Sequence, residues 1–259
     1  MFTLSDTPVK FVALLLFFTF TTIWSIYQLA RRQSGATLVS NLAHLAMSVV
    51  MFVMVPGTLW RPFVAVIPLP VLVGFFAVCT AWFVFLGVRG LAAAGPARKH
   101  GWHALGHAGM FGAMTWHLAG MLVRMQAMMA GGGMARGGMD HGDHGGMGHG
   151  GMEHGGMEHG SGVESATMVG VDPAIMVAIV GIPLMAYLLI AAIGNLKNAI
   201  RPSPDIQDHA GHEAAGHGHY VAGNPRLAAL ADFAMNFGMF WMSTGLMVPL
   251  LPFFGYLAF

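Results

Sequence analysis

Methionine and histidine recur in this chain at a spacing suited to binding soft metal ions. Three stretches share the pattern His or Asp, two residues, Met, three residues, Met, two residues, Met or His, two residues, Gly. The matched positions are His44, His107 and Asp232; Met47, Met110 and Met235; Met51, Met114 and Met239; Met54, His117 and Met242; and Gly57, Gly120 and Gly245. Thioether sulfur is a soft, neutral ligand that favours Cu(I), and imidazole also binds Cu(II) and Zn(II). The repeated pattern therefore predicts a copper site.

An α-helix would bring the ligands of each stretch onto one face. With about 100° of rotation per residue, the four ligand positions of a repeat fall within an arc of about 80°. Three such faces around a common axis would line it with sulfur, with His44, His107 and Asp232 as the inner gate. Rings of weak ligands let an ion both enter and leave. Methionine also fills gaps between packed helices, so packing alone is the alternative interpretation.

A second group of methionines and histidines lies in a glycine-rich segment between 137 and 160. The unit Gly-Gly-Met-x-His-Gly recurs there with a further histidine between two units. Its candidate metal ligands are Met139, His141, His144, Met147, His149, Met152, His154, Met157 and His159. Glycine would let these side chains close around an ion, which predicts a metal-collecting loop. A low-complexity linker without function is the alternative.

The elements that position these residues are apolar enough for a membrane. Of the 259 residues, 56% are hydrophobic and 9% are charged, whereas soluble domains carry about 25% charged residues. Crossing a bilayer takes about 20 apolar residues, and six segments approach or exceed that length. These predicted spans are 11–30, 38–55, 64–88, 101–123, 174–196 and 227–250.

The distribution of positive charge predicts the orientation. Eight of the 12 Lys and Arg residues follow the first, third and fifth spans, and the positive-inside rule places those loops in the cytoplasm. We therefore predict an all-α polytopic membrane bundle of six transmembrane helices in three pseudo-repeated hairpins, with both termini outside. Residues 1–123 would form two hairpins, 124–172 an outside Met/His/Gly-rich loop, and 173–259 the third hairpin with an inside His-rich loop at 197–225. That inside loop carries His209, His212, His217 and His219, and a merely solvated loop explains them equally well.

Composition and motifs exclude several functions. The single cysteine cannot form an intrachain disulfide or a thiolate cluster. The formal net charge of +1 gives no support to nucleic-acid binding. No Walker A sequence and no Ser/His/Asp arrangement appears, so we expect a protein that is not an enzyme.

Two resemblances bear on function. The pairs Met47/Met51, Met110/Met114 and Met235/Met239, together with the Met/His loop, resemble the Ctr family of copper transporters, in which trimerisation surrounds one pore with three such helices. Topology and size differ, so the likeness concerns the site rather than descent. Hairpins whose second helix begins His-x-x-Met are similar to an actinobacterial family of multi-pass membrane proteins known as domain of unknown function 5134. That resemblance implies a bacterial plasma membrane and supplies no activity.

These observations support three hypotheses. The first is copper handling, in which the outside loop captures copper and the methionines of the three repeats, called the Met stripes below, carry or store Cu(I). The lipid bilayer and the metal ion would be the partners. The second is an accessory subunit of a respiratory or oxygenase complex that delivers copper or binds haem alongside membrane partner proteins. Haem would need facing histidines from two helices, and Asp232 in the third repeat argues against it. The third is a structural membrane protein without metal.

Overall fold

The computed structural model describes residues 7–31, 35–93, 97–134, 173–201 and 224–257. Within these residues the chain forms α-helices followed by a short 3-10 helix at Pro252–Leu257. The α-helices are α1 (Pro8–Leu29), α2 (Gly35–Met54), α3 (Gly57–Val66), α4 (Leu69–Ala92), α5 (Ala97–Met134), α6 (Pro173–Ile200) and α7 (Pro225–Met247). The fold is all-helical, as the sequence predicts.

Proline sets several helix boundaries. It occupies one of the first two positions of α1, α4 and α7, where its missing N–H costs nothing. The predicted third span, 64–88, is wrong at its start, because α3 ends at Val66 and α4 begins at Leu69. Ile67 is extended, with φ −116° and ψ 99°, as expected for a residue that precedes a proline. A short helix therefore precedes the third apolar segment.

The long helices pack as consecutive pairs. Helix α1 lies against α2, α4 against α5, and α6 against α7. The pairs join through α7, which also contacts α1 and α5, and through α5, which also contacts α6. Helices α5 and α7 therefore sit at the centre of the network of contacts.

Among the residues that the structure describes, four helices are long and apolar enough to cross a membrane. They are Pro8–Leu29, Thr37–Met54, Leu69–Ala92 and Ile175–Ile200. Leu16 of α1, Val78 of α4 and Ile190 of α6 are exposed on outward faces. Lipid would cover such surfaces, so the fold is that of a helical membrane bundle.

Helix α5 is longer than the predicted fourth span. Its 38 residues extend for about 57 Å at the usual rise per residue, whereas the hydrocarbon core of a bilayer is about 30 Å thick. The predicted span ended at 123, but the helix continues to Met134. If α5 crosses a bilayer, at least one of its ends extends beyond the hydrocarbon.

The repeated glycines differ in their packing. A Cβ atom on Gly120 would lie 2.8 Å from Val177 Cγ1, so α5 and α6 approach closely there. A Cβ on Gly245 would meet nothing within 4 Å. Gly57 is the first residue of α3 and so lies beyond α2. Close helix packing therefore explains only one of the three repeated glycines.

Candidate metal site

The three methionine stripes lie in one buried core. Helices α2, α5 and α7 each contribute their repeat, and no stripe methionine is more than 4% exposed. The buried set is Met47, Met51, Met54, Met110, Met114, Met235, Met239 and Met242. All eight belong to a single contiguous cluster of buried side chains. The structure thus gathers thioether groups that are far apart in the sequence.

Large aromatic side chains enclose this core. Phe18 of α1 packs against α7 where a Cβ atom on Gly238 would lie only 2.6 Å from its Cε1 atom. Phe83 and Phe111 stack at a ring separation of 4.9 Å between α4 and α5. These contacts surround the stripes with apolar groups, in which a neutral ligand such as a thioether is at little disadvantage.

At one end of the core, His44 of α2 meets His107 of α5. His44 Nε2 and His107 Nδ1 are 3.0 Å apart, and the ring centroids are separated by 4.5 Å. His103 lies one helical turn before His107, with their ring centroids 4.6 Å apart. Phe83 and Phe111 flank the pair. The structure therefore brings together two of the predicted inner ligands.

Hydrogen bonding defines how the histidine pair is protonated when both rings are neutral. His44 Nδ1 lies 2.7 Å from the Ser40 carbonyl oxygen, which can only accept, so His44 Nδ1 carries the hydrogen and donates it. His44 Nε2 is then a lone-pair acceptor, and His107 Nδ1 donates to it. Metal-binding histidines commonly donate their other ring N–H to a backbone carbonyl in this way. Ser40 thus orients His44 with a bare nitrogen toward His107.

The spacing of this pair suits a shared metal ion. Two nitrogens bound at the usual distances lie roughly 2.8–3.4 Å apart when the bond angle at the metal is between a right angle and the tetrahedral value. The observed 3.0 Å falls in that range. To bind through Nδ1, His107 would have to move its hydrogen to Nε2. The pair therefore places two imidazole nitrogens within reach of one ion, which would bind both once the rings turn to direct their lone pairs at it.

Asp232, the third predicted inner ligand, has a different environment. It is half-buried on α7, and its backbone carbonyl accepts a hydrogen bond of 2.8 Å from Asn236 Nδ2. Asn236 Oδ1 is buried and has no hydrogen-bond partner within the described residues. In the part of the chain that the structure describes, no three His, Cys, Asp or Glu side chains are grouped so as to hold a metal ion. Among the described residues, the methionine sulfurs are the further soft donors near the His44–His107 pair.

A second group of polar side chains lies around His117, at the end of the α5 stripe opposite His107. His117 is 5% exposed, and its Nδ1 atom is 2.8 Å from Ser243 Oγ of α7. Lys10 of α1 is 1% exposed and donates to Thr244 Oγ1 at 2.9 Å. Arg124 Nη1 donates to the Gly245 carbonyl at 3.2 Å. Both cations therefore lie near the C-terminal turn of α7, where the helix dipole favours positive charge.

Some of these polar residues escape sequence reasoning. Lys10 reads as an ordinary flanking charge, and its burial depends on the position of α7. Ser243 and Thr244 lie between Met242 and Gly245 of the third repeat, where the second repeat has Leu118 and Ala119. That difference was visible in the repeat alignment, and it is the signal that could have identified them.

The predicted ligands of the two loops lie outside the described residues. This applies to the nine Met and His positions from Met139 to His159 and to His209, His212, His217 and His219. They stay predictions from the sequence.

Comparison with known proteins identifies no matching family model, no matching curated protein and no matching solved structure. The resemblances to Ctr transporters and to the actinobacterial membrane family stay predictions for the same reason.

Proposed function

We propose that this protein is an integral membrane copper-binding protein that carries or stores Cu(I) along its buried methionine stripes. The observation that carries the proposal is the convergence of eight thioethers from three helices into one core. A histidine pair lies at one end of the stripes and His117 at the other. Soft neutral sulfur with a few imidazoles is a ligand set that selects Cu(I) over hard cations.

In the proposed topology, α5 and α7 complete six membrane spans in a bacterial plasma membrane, and both termini lie outside. The polar residues that lower the hydropathy of these helices include His107, His117, Asn236 and Ser243, all of which are buried. Polar groups turned toward a bundle interior are typical of functional membrane helices. The His117 end then faces outside, and the His44–His107 pair faces the cytoplasm.

The proposed route of an ion follows from this orientation. Copper collected by the outside loop passes His117, moves along the thioethers and reaches the His44–His107 pair. Each step exchanges one weak donor for the next, so the ion remains Cu(I) throughout. Import, export and storage use the same ligands, so export would follow the same route in reverse.

Haem binding is the competing interpretation of the histidine pair. A porphyrin bound between His44 and His107 would need its iron and ring plane between the two nitrogens. At 3.0 Å these nitrogens are in hydrogen-bond contact, which leaves no space for a porphyrin. The arrangement therefore favours a single ion over haem.

The first test is copper content. Purified protein is loaded anaerobically with Cu(I), and copper per chain is measured by elemental mass spectrometry. The variant Met47→Leu/Met110→Leu/Met235→Leu removes one thioether from each stripe while nearly conserving volume, which is usually tolerated in cores. Met185→Leu/Met247→Leu is the matched control, because both residues are buried methionines of a different cluster.

We expect the triple variant to lose copper and the control to retain it. Equal copper in both would assign the stripes to packing, and an absence of copper in the wild type would end the proposal. A Soret band in the visible spectrum would favour haem instead.

The loop is tested separately. Deletion of residues 137–160 should slow copper acquisition at low external copper and leave the buried sites able to fill at saturation. A deletion variant with wild-type acquisition would make the loop a linker.

A further inference from the structure

The ligand stripe of α5 continues beyond the repeat that defines it. After Met114 and His117, the helix carries Met121, Met125 and Met129 at intervals of four residues. Residues four apart on a helix are neighbours on its surface. Because α5 is helical to Met134, these three methionines extend the stripe by about three turns.

Exposure rises steadily along this series. Met114 is fully buried and His117 is 5% exposed. Met121 is half-buried and packs against the same core cluster as the stripes. Met125 is 40% exposed and Met129 is 70% exposed. The series therefore connects the interior of the bundle with its surface on a single helix.

We propose that Met121, Met125 and Met129 form a transfer ladder through which a soft monovalent ion, Cu(I) or Ag(I), passes between the surface and the buried stripes. The proposal rests on the copper function proposed above and adds the point of entry or exit. It needs no contribution from residues beyond Met134.

Neighbouring methionines of the ladder can transfer an ion from one sulfur to the next without releasing it to solvent. Their Cβ atoms lie about 5–6 Å apart, and thioethers are long and flexible, so two can bind one ion together. One metal–sulfur bond forms as the preceding one breaks, and no electron or proton is transferred. The ladder then delivers the ion to His117 and Met114.

A fixed positive charge lies beside the ladder. Arg124 immediately precedes Met125, and its guanidinium donates to the Gly245 carbonyl. Hard cations such as Na⁺ or Mg²⁺ would meet this charge with no oxygen ligand on the ladder to offset it. Cu(I) and Ag(I) form donor bonds to sulfur instead, so the arrangement favours soft ions.

The test is a methionine oxidation footprint of the full-length protein in detergent. Hydrogen peroxide oxidises accessible methionines to sulfoxide, and peptide mass spectrometry follows each site with and without Ag(I). Met176 of α6 is the matched internal control, because it is 51% exposed and lies outside both buried clusters. We expect Ag(I) to protect Met125 and Met129 and to leave the oxidation of Met176 unchanged.

A rate measurement completes the test. In Met121→Leu/Met125→Leu, Cu(I) uptake from a coloured chelator should be about tenfold slower, the change expected when a transfer barrier rises by one weak interaction. Met176→Leu should keep the wild-type rate. Both variants should bind copper in the buried stripes at equilibrium.

The outcomes separate the ladder from the copper function. Copper bound by the stripes without Ag(I) protection of Met125 and Met129, or with an unchanged rate in the double variant, would overturn the ladder alone. A wild-type protein that binds no copper would overturn the proposed function itself.

Discussion

Within the described part of the chain, two buried groups of methionines differ in their neighbours rather than in their burial. The stripe methionines of α2, α5 and α7 share one core with a histidine pair at one end and His117 at the other. Met185 and Met247 lie in a second cluster with Trp116, Ala178 and Leu246. Both groups are at most 4% exposed. Burial therefore does not distinguish a metal ligand from a packing residue. The distinction must come from the other donor atoms around each methionine.

The two clusters also differ in where their hydrogen bonds lie. In the second cluster, Trp116 Nε1 donates to the Val177 carbonyl at 2.8 Å, and Gly181 lets the indole approach α6 closely. In the stripe core, the His44–His107 and His117–Ser243 contacts lie at the two ends. Between them, the buried side chains are sulfur, hydrocarbon and aromatic groups together with the neutral Ser48 and Asn236. An ion moving along the stripes would meet only neutral groups between its polar ends.

The largest effect should come from removing a buried side chain, and it should be similar in both groups. Met114→Ala and Met185→Ala should each lower the free energy of unfolding by about 2–5 kcal/mol, because each leaves a cavity. Unfolding in detergent micelles with increasing denaturant measures the change. A much smaller cost for Met114→Ala would show that the stripe is loosely packed, and it would sharpen the distinction between the groups.

An intermediate effect is expected at Gly181. A Cβ atom there would lie 2.2 Å from Trp116 Cζ2 and 2.8 Å from Met247 Sδ, so Gly181→Ala should cost about 1–3 kcal/mol through overpacking. Gly194→Ala in the same helix is the control, since its Cβ would meet nothing within 4 Å. Thermal unfolding should separate the two variants, with copper content unchanged in both. Copper lost in Gly181→Ala would mean that the second cluster also shapes the metal site.

The smallest effect should come from a single interhelical hydrogen bond. Ser243→Ala removes the partner of His117 Nδ1, and such bonds in membrane proteins average about 0.6 kcal/mol. Stability should fall by a similar amount in detergent unfolding. If His117 binds copper, freeing its ring should also change copper affinity, which a competition titration with a Cu(I) chelator measures. Unchanged affinity would assign His117 to packing between α5 and α7.

Much of the architecture is readable from the sequence because it depends on local properties. Apolar length predicts helices at α1, α2, α4 and α6, and these four satisfy the length and hydropathy expected of membrane spans. The repeated spacing of the Met stripes predicts one face per helix, and those faces are buried. Pro68 and Pro70 are the sequence signal that the third apolar helix begins near 69 rather than at 64.

The contacts between helices could not be predicted from the sequence pattern. Three histidine or aspartate positions look equivalent in the repeat, yet His44 and His107 form a hydrogen-bonded pair, whereas Asp232 lies beside Asn236 on α7. Gly120 and Gly245 are also equivalent in the pattern, but an added Cβ atom would meet another helix only at Gly120. Spacing along a chain does not specify which neighbour a side chain meets.

A helical membrane protein with Met and His on one face of three helices is predictable from the sequence, because apolar length and helical periodicity are properties of each segment alone. Only the packed bundle shows that these faces share one core, that Lys10 is buried against α7, and that α5 extends the ligand series to exposed Met129. These features depend on how helices from distant parts of the chain pack, and only the folded bundle contains that information.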